Sequence, residues 1–294
     1  MHVPVVSVAL RVVLGELETL LASAGVVTPE VDAQLLVRSV TGLSRAELLT
    51  AANLELGAEQ VGVLRGMGER RAEREPLQLI LGSVGFRYLE VVVRPGVFVP
   101  RPETEVLAGE AVARVPVGGV VVEPCTGTGA IACAVASEAH PGTVVATDLS
   151  RAAADLARYN ATRCGVGVTV LRGDLLAPVD PGLRGRVDVL VSNPPYVAES
   201  ELAGLEPEVV EWDPRSALVA GPSGHEVSDR LIAAAGEWLT PGGWLLLEVD
   251  ERRAAATAAR AAAAGLTESG TVADLAGRDR VVVARRPRPH VGKR

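Results

Sequence analysis

The sequence predicts an α/β fold in which a doubly wound, mostly parallel sheet follows a small helical domain. From residue 117 onward, short apolar strands alternate with helices. This alternation is typical of a parallel sheet that is covered on both faces. Before residue 82, apolar side chains instead recur at three- and four-residue spacing, as in Leu10, Val13, Leu14 and Leu17. Such spacing indicates amphipathic helices.

The length of 294 residues leaves room for two domains. We expect a helical domain over residues 1–82. Residues 84–99 then change character, because Phe86, Tyr88 and Phe98 stand among glycines and prolines. This composition predicts two strands joined by a turn, and therefore a β-hairpin linker over 83–103.

The sequence from residue 104 onward predicts a series of strands and helices. Strands are expected at 120–122, 143–147, 168–171, 187–192, 244–249 and 280–284, and helices at 104–114, 127–139, 151–163, 231–239 and 252–264. Together they define a domain over 104–286. The basic residues 287–294 are expected to form a frayed tail.

The composition excludes several classes of protein. A net charge of −7, with 7 basic against 10 acidic residues over positions 1–80, argues against binding nucleic acid through bulk charge. The three cysteines form no C-x-x-C pair, which predicts a reducing compartment and no metal site. No uncharged apolar run reaches the ~18–20 residues of a membrane span. A monomeric cytoplasmic protein without membrane contact is the expectation.

A glycine-rich turn joins the first predicted strand to its helix in Glu123-Pro124-Cys125-Thr126-Gly127-Thr128-Gly129. Such a turn lets a ligand approach the backbone and the amides of a helix N-terminus. Asp148 ends the next strand about twenty residues later, where a carboxylate can accept hydrogen bonds from ribose hydroxyls. The pair indicates an adenosine-containing cofactor. Asp148 as a helix cap and Asp174 as a plain loop carboxylate remain the alternatives to ribose and adenine contacts.

A second turn, Asn193-Pro194-Pro195-Tyr196, follows the predicted strand at 187–192. The Asn193 side-chain oxygen and the Pro194 carbonyl can together accept both hydrogens of a planar –NH2 group. Tyr196 can cover the flat face of that group. This arrangement suits alkylation of an amide or exocyclic amine nitrogen, which is a poor nucleophile and gains from orientation. The alternative is an ordinary Asn-Pro turn.

These motifs resemble a class I (Rossmann-like) methyltransferase and, more closely, the HemK/PrmC family of protein-(glutamine-N5) methyltransferases. The resemblance spans nearly the whole chain. Its motifs are Arg74-Glu75-Pro76-Leu77, Ile80-Leu81-Gly82, Val99-Pro100-Arg101-Pro102-Glu103-Thr104-Glu105, Thr126 to Ala132, Asp188 to Tyr196, Leu205-Glu206-Pro207-Glu208, Pro241-Gly242-Gly243 and Asp274-Leu275-Ala276-Gly277-Arg278. The chain departs from the family pattern at Glu123-Pro124-Cys125, at Leu175 or Leu176, and at Trp212-Asp213-Pro214 with Ala220-Gly221-Pro222-Ser223-Gly224.

The resemblance implies S-adenosylmethionine as cofactor and, as substrate, the Gly-Gly-Gln loop of class-I peptide chain release factors. It also implies that the helical domain over residues 1–82 helps to dock the protein substrate. The implied cofactor residues are Glu123, Cys125, Thr126, Gly127, Thr128, Gly129, Asp148, Asp174, Leu175 and Asn193. The implied catalytic residues are Asn193, Pro194 and Tyr196. The implied substrate-binding residues are Asn193, Pro194, Pro195, Tyr196, Phe98, Arg101 and Glu103. Two alternatives stay open, namely a methyltransferase of DNA or RNA exocyclic amines and a binding module without activity.

Four of the eight aromatic residues fall near this predicted site, namely Phe86, Tyr88, Phe98 and Tyr196. We therefore expect an aliphatic core, with the few aromatic side chains left mainly for recognition.

Overall fold

The structure of the protein is a computed structural model that describes residues 7–289. The chain forms two compact units, residues 1–82 and residues 83–294. Each unit has its own apolar core. The finer division into a linker (83–103), a domain (104–286) and a tail (287–294) stays a prediction. Residues 290–294 of that tail lie outside the described residues.

The N-terminal unit is helical. Its elements are β1 (Val8–Ala9), α1 (Leu10–Ser23), α2 (Pro29–Thr41), α3 (Arg45–Thr50), β2 (Glu55–Leu56), α4 (Ala58–Ala72) and α5 (Leu77–Leu81). The predicted periodicity places Leu10, Val13 and Leu17 on the buried face of α1. Arg71 Nε donates a 2.7 Å hydrogen bond to the Asp32 carboxylate, and both side chains are buried in this core. A buried charge of either sign requires such a partner.

The C-terminal unit begins with a β-hairpin of β3 (Ser83–Phe86) and β4 (Leu89–Val92), which pair antiparallel. The hairpin is shorter than the pattern predicts, since Val97 and Phe98 lie beyond its second strand. Phe86 is also a correction to the expected role of the aromatics. It is 1% exposed and packs in the apolar core rather than at a site.

The remaining elements include every strand and helix that was predicted. The helices are α6 (Thr104–Arg114), α7 (Ala130–Ala139), α8 (Arg151–Arg163), α9 (Pro207–Trp212), α10 (Arg215–Leu218), α11 (Glu226–Trp238) and α12 (Glu251–Ala263). The strands are β5 (Val120–Pro124), β6 (Thr143–Asp148), β7 (Thr169–Arg172), β8 (Val187–Ser192), β9 (Val197–Ala198), β10 (Val219–Gly221), β11 (Leu239–Glu248), β12 (Thr267–Ala273) and β13 (Asp279–Arg285). Of these elements, α9, α10, β9, β10 and β12 were not predicted.

Among the described residues, one seven-stranded sheet has the order β12-β13-β11-β8-β5-β6-β7. The pairs from β11 to β7 are parallel, whereas β13 runs antiparallel to both of its neighbours. The predicted doubly wound, mostly parallel sheet is therefore confirmed. β12 was not predicted, because Thr267–Ala273 carries no apolar run and forms a partly exposed edge.

Successive strand residues face opposite sides of the sheet, as a pleated strand requires. Val121 packs in one apolar cluster and Val122 in the other. The first cluster contains residues of α6 and α7, and the second contains residues of α11 and α12. Helices cover both faces, so the loops at the strand ends are the places where the sheet meets solvent.

Candidate active site

A cavity of about 760 Å³ lies at the carboxyl ends of the central parallel strands. Loops at these strand ends are where open α/β sheets bind ligands. Of the predicted site residues, Gly129, Pro194 and Glu103 do not line this cavity and all the others do. Prediction missed several lining residues, among them Thr104, Ile131, Glu201, Arg230, Asp250 and Arg280.

The glycine turn after β5 is held by Asp148, at the end of β6. The Asp148 carboxylate accepts 2.9 Å from the Gly127 amide and 2.8 Å from the Ser150 amide. Gly127 has a φ of +56°, which favours glycine. Asp148 thus shapes the turn and also contributes to the cavity wall. Its burial raises the pKa of its carboxyl group.

Glu123 supports the turn from within the protein. Its Oε2 accepts 2.8 Å hydrogen bonds from the Thr126 hydroxyl and from the Ala132 amide. The side chain is 1% exposed, and burial raises its pKa to about 8. Its main contacts are therefore with the turn and with the first residues of α7. Burial likewise raises the pKa of the neighbouring Cys125 thiol to about 12, so this thiol is neutral.

Asn160 of α8 joins the turn to the hairpin and was missed by the sequence analysis. Its Nδ2 donates 2.9 Å hydrogen bonds to the carbonyl oxygens of Val92 and Thr128. Its Oδ1 accepts 3.0 Å from the Val92 amide. Asn160 is fully buried, so these bonds satisfy polar groups that would otherwise be desolvated.

Asp174 and Leu175 line the cavity beside β7 and the turn after β6. Asp174 Oδ2 accepts 2.6 Å from Arg230 Nη2, and both side chains are about half exposed. The Leu175 carbonyl accepts 2.6 Å from the Thr147 hydroxyl, and its φ is +47°. The loop after β7 is thereby held against the end of β6.

Asn193 contacts two side chains that come from distant parts of the chain. Its Nδ2 lies 3.0 Å from Glu248 Oε1 and 3.3 Å from Thr104 Oγ1. Glu248 is 2% exposed, and burial raises its pKa to about 7. Tyr196 lines the same end of the cavity, and its burial raises the pKa of the phenol. Pro194 lies between Asn193 and Tyr196 in the sequence. It is buried and does not line the cavity.

The segment before α6 forms one edge of the cavity. Phe98 and Arg101 line it, with the Arg101 guanidinium carbon 5.2 Å from the Phe98 ring centre. Arg101 Nη2 also lies 2.6 Å from Asp213 Oδ2. Glu103 instead accepts 3.0 Å from Arg278 Nη2. Glu103 does not line the cavity, so its position does not favour a direct contact with the substrate.

No group of three or more His, Cys, Asp or Glu residues that could hold a metal occurs within residues 7–289. In the same residues, no helix is long and apolar enough to cross a membrane.

The sheet, the glycine turn at its centre and the neighbouring Asn-Pro-Pro-Tyr turn define a class I methyltransferase. Residues 89–209 match the family model of the methyltransferase small domain. The fold is similar to the crystal structure of a methyltransferase from Pyrococcus furiosus, with a TM-score of 0.51, 20% identity, and coverage of 68% of this chain and 89% of that one.

Residues 13–82 match the model of the PrmC N-terminal domain. Two proteins named release factor glutamine methyltransferase are similar over most of their length. The relative from Mycolicibacterium smegmatis is 41% identical over 94% of this chain and 98% of its own. The relative from Geobacter sulfurreducens is 38% identical over 94% and 96%. The chain belongs to the release factor glutamine methyltransferase family.

Proposed function

We propose that this enzyme transfers a methyl group from S-adenosylmethionine to the side-chain amide nitrogen of a glutamine in a class-I peptide chain release factor. The Gly-Gly-Gln loop of that factor is the proposed target. The observation that carries the proposal is the position of Asn193, which lines the cavity at the strand next to the glycine turn. A planar amide can there be presented beside a cofactor bound on the turn.

The glycine turn fits an adenosine-containing cofactor. A Cβ at Gly127 would meet no atom within 4 Å, so a ligand can approach this backbone closely. Each Asp148 oxygen receives one backbone N–H and keeps a lone pair for a ribose hydroxyl. The cavity of about 760 Å³ lies within the ~300–1,000 Å³ range of small-molecule sites. Thr126 to Thr128 would hold the methionine part, and Asp174 and Leu175 would lie near the adenine.

Asn193 and its neighbours would orient the substrate. When bound, S-adenosylmethionine would supply the sulfonium methyl group that is transferred to the amide nitrogen, leaving S-adenosylhomocysteine, and the nitrogen would lose one proton to solvent. Asn193 Oδ1 would accept one amide hydrogen, whereas the Pro194 carbonyl, the second expected acceptor, belongs to a residue that does not line the cavity. The Tyr196 ring would cover one face of the amide plane. Orientation of this kind assists a weak nucleophile without a strong base.

The decisive assay uses a labelled methyl donor with three acceptors. These are a release factor, the same factor with its loop Gln replaced, and duplex DNA. We expect label in the first acceptor alone. Label in DNA would reject the proposed substrate and favour the exocyclic-amine alternative. Equal label in both forms of the factor would also reject the proposed substrate, because the methyl group would then not be on the loop Gln.

A further inference from the structure

Asn193 has two acceptors around its amide nitrogen. Glu248 Oε1 lies 3.0 Å and Thr104 Oγ1 lies 3.3 Å from Nδ2. The second carboxyl oxygen, Glu248 Oε2, is buried and has no hydrogen-bond partner among the described residues. A hydroxyl oxygen and a carboxylate oxygen can each accept one hydrogen of an amide nitrogen. Both hydrogens of Nδ2 are therefore engaged within the protein.

The Asn193 oxygen is left as the polar atom that this side chain can offer to a ligand. An amide side chain has donors on nitrogen and an acceptor on oxygen, and a rotation by half a turn would exchange them. That rotation would place Oδ1 against the Glu248 carboxylate. When Glu248 is ionised, two acceptors in contact, in a site where Glu248 is 2% exposed, disfavour the rotated state strongly.

We infer that Glu248 and Thr104 are positioning residues that fix Asn193 as an acceptor and thereby make the site select an amide over a carboxylate. This inference rests on the proposed function. An –NH2 group can donate to Asn193 Oδ1. A glutamate side chain at the same place would bring a second acceptor against Oδ1, and its charge would lie near an ionised Glu248. A site built for a donor rejects a ligand that lacks it.

The test compares Glu248→Leu, Glu248→Gln and Thr104→Val with the wild type. Leu removes the acceptor at nearly constant volume, whereas Gln removes the charge and keeps an oxygen that can face Asn193. For each protein we would measure kcat and KM on the release factor. Equilibrium binding would be measured for the factor with Gln and with Glu at the target position, in the presence of S-adenosylhomocysteine.

In Glu248→Leu we expect kcat to fall by about 10–100-fold while KM changes less, because a released amide no longer orients the acceptor. The binding preference for the Gln factor over the Glu factor should fall by about tenfold or more. Glu248→Gln should keep most of the wild-type kcat and most of the binding preference for the Gln factor. Thr104→Val should shift both quantities in the same direction as Leu, by less.

The matched control is Asp188, whose Oδ2 accepts 2.8 Å from the Val120 amide in the same sheet and which does not line the cavity. Asp188→Asn should leave kcat and the binding preference for the Gln factor over the Glu factor unchanged. An undiminished kcat in Glu248→Leu, or equal losses in the Leu and Gln variants, would overturn the inference. Absence of transfer by the wild type would instead overturn the proposed function, and the inference with it. If the Leu variant fails to fold, Thr104→Val and Glu248→Gln still decide.

Discussion

Arg101 Nη2 lies 2.6 Å from the carboxylate of Asp213, 112 residues further along the chain. The Asp213 side chain is 1% exposed, and its other oxygen accepts 3.4 Å from the Val99 amide. Asp213 therefore holds the segment that leads into the cavity edge. The Trp212-Asp213-Pro214 departure from the family pattern consequently has a structural role in this chain.

Removing the Asp213 carboxylate should destabilise the protein. In Asp213→Ala, Arg101 and the Val99 amide lose their acceptor, so we expect the free energy of unfolding to fall by about 1–3 kcal/mol. Urea denaturation measures this change. The control is Glu199→Ala, which breaks an exposed pair with Arg215 and should cost under ~0.5 kcal/mol. Equal losses in the two variants would contradict the role of Asp213.

Asn193→Ala should abolish methyl transfer while largely sparing folding and cofactor binding. The substitution removes the acceptor for the substrate amide, and we expect kcat to fall by about 100-fold or more. Transfer of label measures kcat, and calorimetric titration measures the affinity for S-adenosylmethionine. Turnover close to that of the wild type would exclude the proposed orientation of the amide.

Gly127→Ala should weaken cofactor binding more than it weakens the fold. Gly127 and Gly165 have φ values of +56° and +67°, and a Cβ would meet nothing within 4 Å at either position. Left-handed backbone costs a non-glycine residue about 1–2 kcal/mol, so both Ala variants should lose similar stability. Only Gly127 lines the cavity, and only its variant should bind S-adenosylmethionine more weakly. If the two Ala variants bound S-adenosylmethionine with equal affinity, Gly127 would not be part of the cofactor site.

Asn160→Ala should destabilise the C-terminal unit by about 2–4 kcal/mol, because it leaves buried backbone groups of Val92 and Thr128 without partners. Asn160→Asp should not rescue, since a carboxylate lacks the two donors. Thr162→Ala, two residues further along the same helix, removes an exposed hydrogen bond to the Arg158 carbonyl and should change the free energy of unfolding by under ~0.5 kcal/mol. Urea denaturation of the three variants separates these effects.

Stability should fall as the pH rises from about 5 to about 8. Burial raises the pKa of Glu123 to about 8 and that of Glu248 to about 7. Between the unfolded value near ~4.3 and these values, the folded protein holds protons that the unfolded chain releases. Each group therefore contributes a loss of at most about 1.4 kcal/mol per pH unit.

The measurement compares Glu123→Gln with the wild type at several pH values. The Gln variant cannot ionise, so its free energy of unfolding relative to the wild type should rise with pH. Glu226→Gln is the control, because backbone hydrogen bonds at Ser223 lower the pKa of Glu226 to about 2. That group is ionised in both states throughout the window, and its variant should show no slope. A flat difference for Glu123→Gln would show that its pKa is not raised.

Local patterns were enough to predict the parts of the site that lie on single turns. Asp148 and Asn193 each follow an apolar strand, and strand ends in a parallel sheet converge on one edge. The interacting partners could not be predicted in this way. Asn160, Glu248 and Asp213 reach residues 55 to 114 positions away, and no periodicity records such contacts. Glu248 did leave one signal, as a carboxylate at the end of an otherwise apolar strand.

The fold was predictable wherever the chain alternates apolar strands with helices. The miss at Thr267–Ala273 has a physical reason, since an edge strand needs apolar residues on fewer sides. The segment from 199 to 221 was likewise left without elements. Its short helices, such as Pro207–Trp212, have no buried apolar stripe that a periodicity could reveal.

The two turns that would hold donor and acceptor begin side by side because β5 and β8 are hydrogen-bonded neighbours. The Ser192 hydroxyl also donates 2.7 Å to the Pro124 carbonyl, where the two strands end. Adjacent strands lie about 4.8 Å apart, and this spacing is a property of the backbone. With the cofactor on one turn and the substrate amide on the other, the distance between methyl donor and acceptor would be set by the spacing of the two strands.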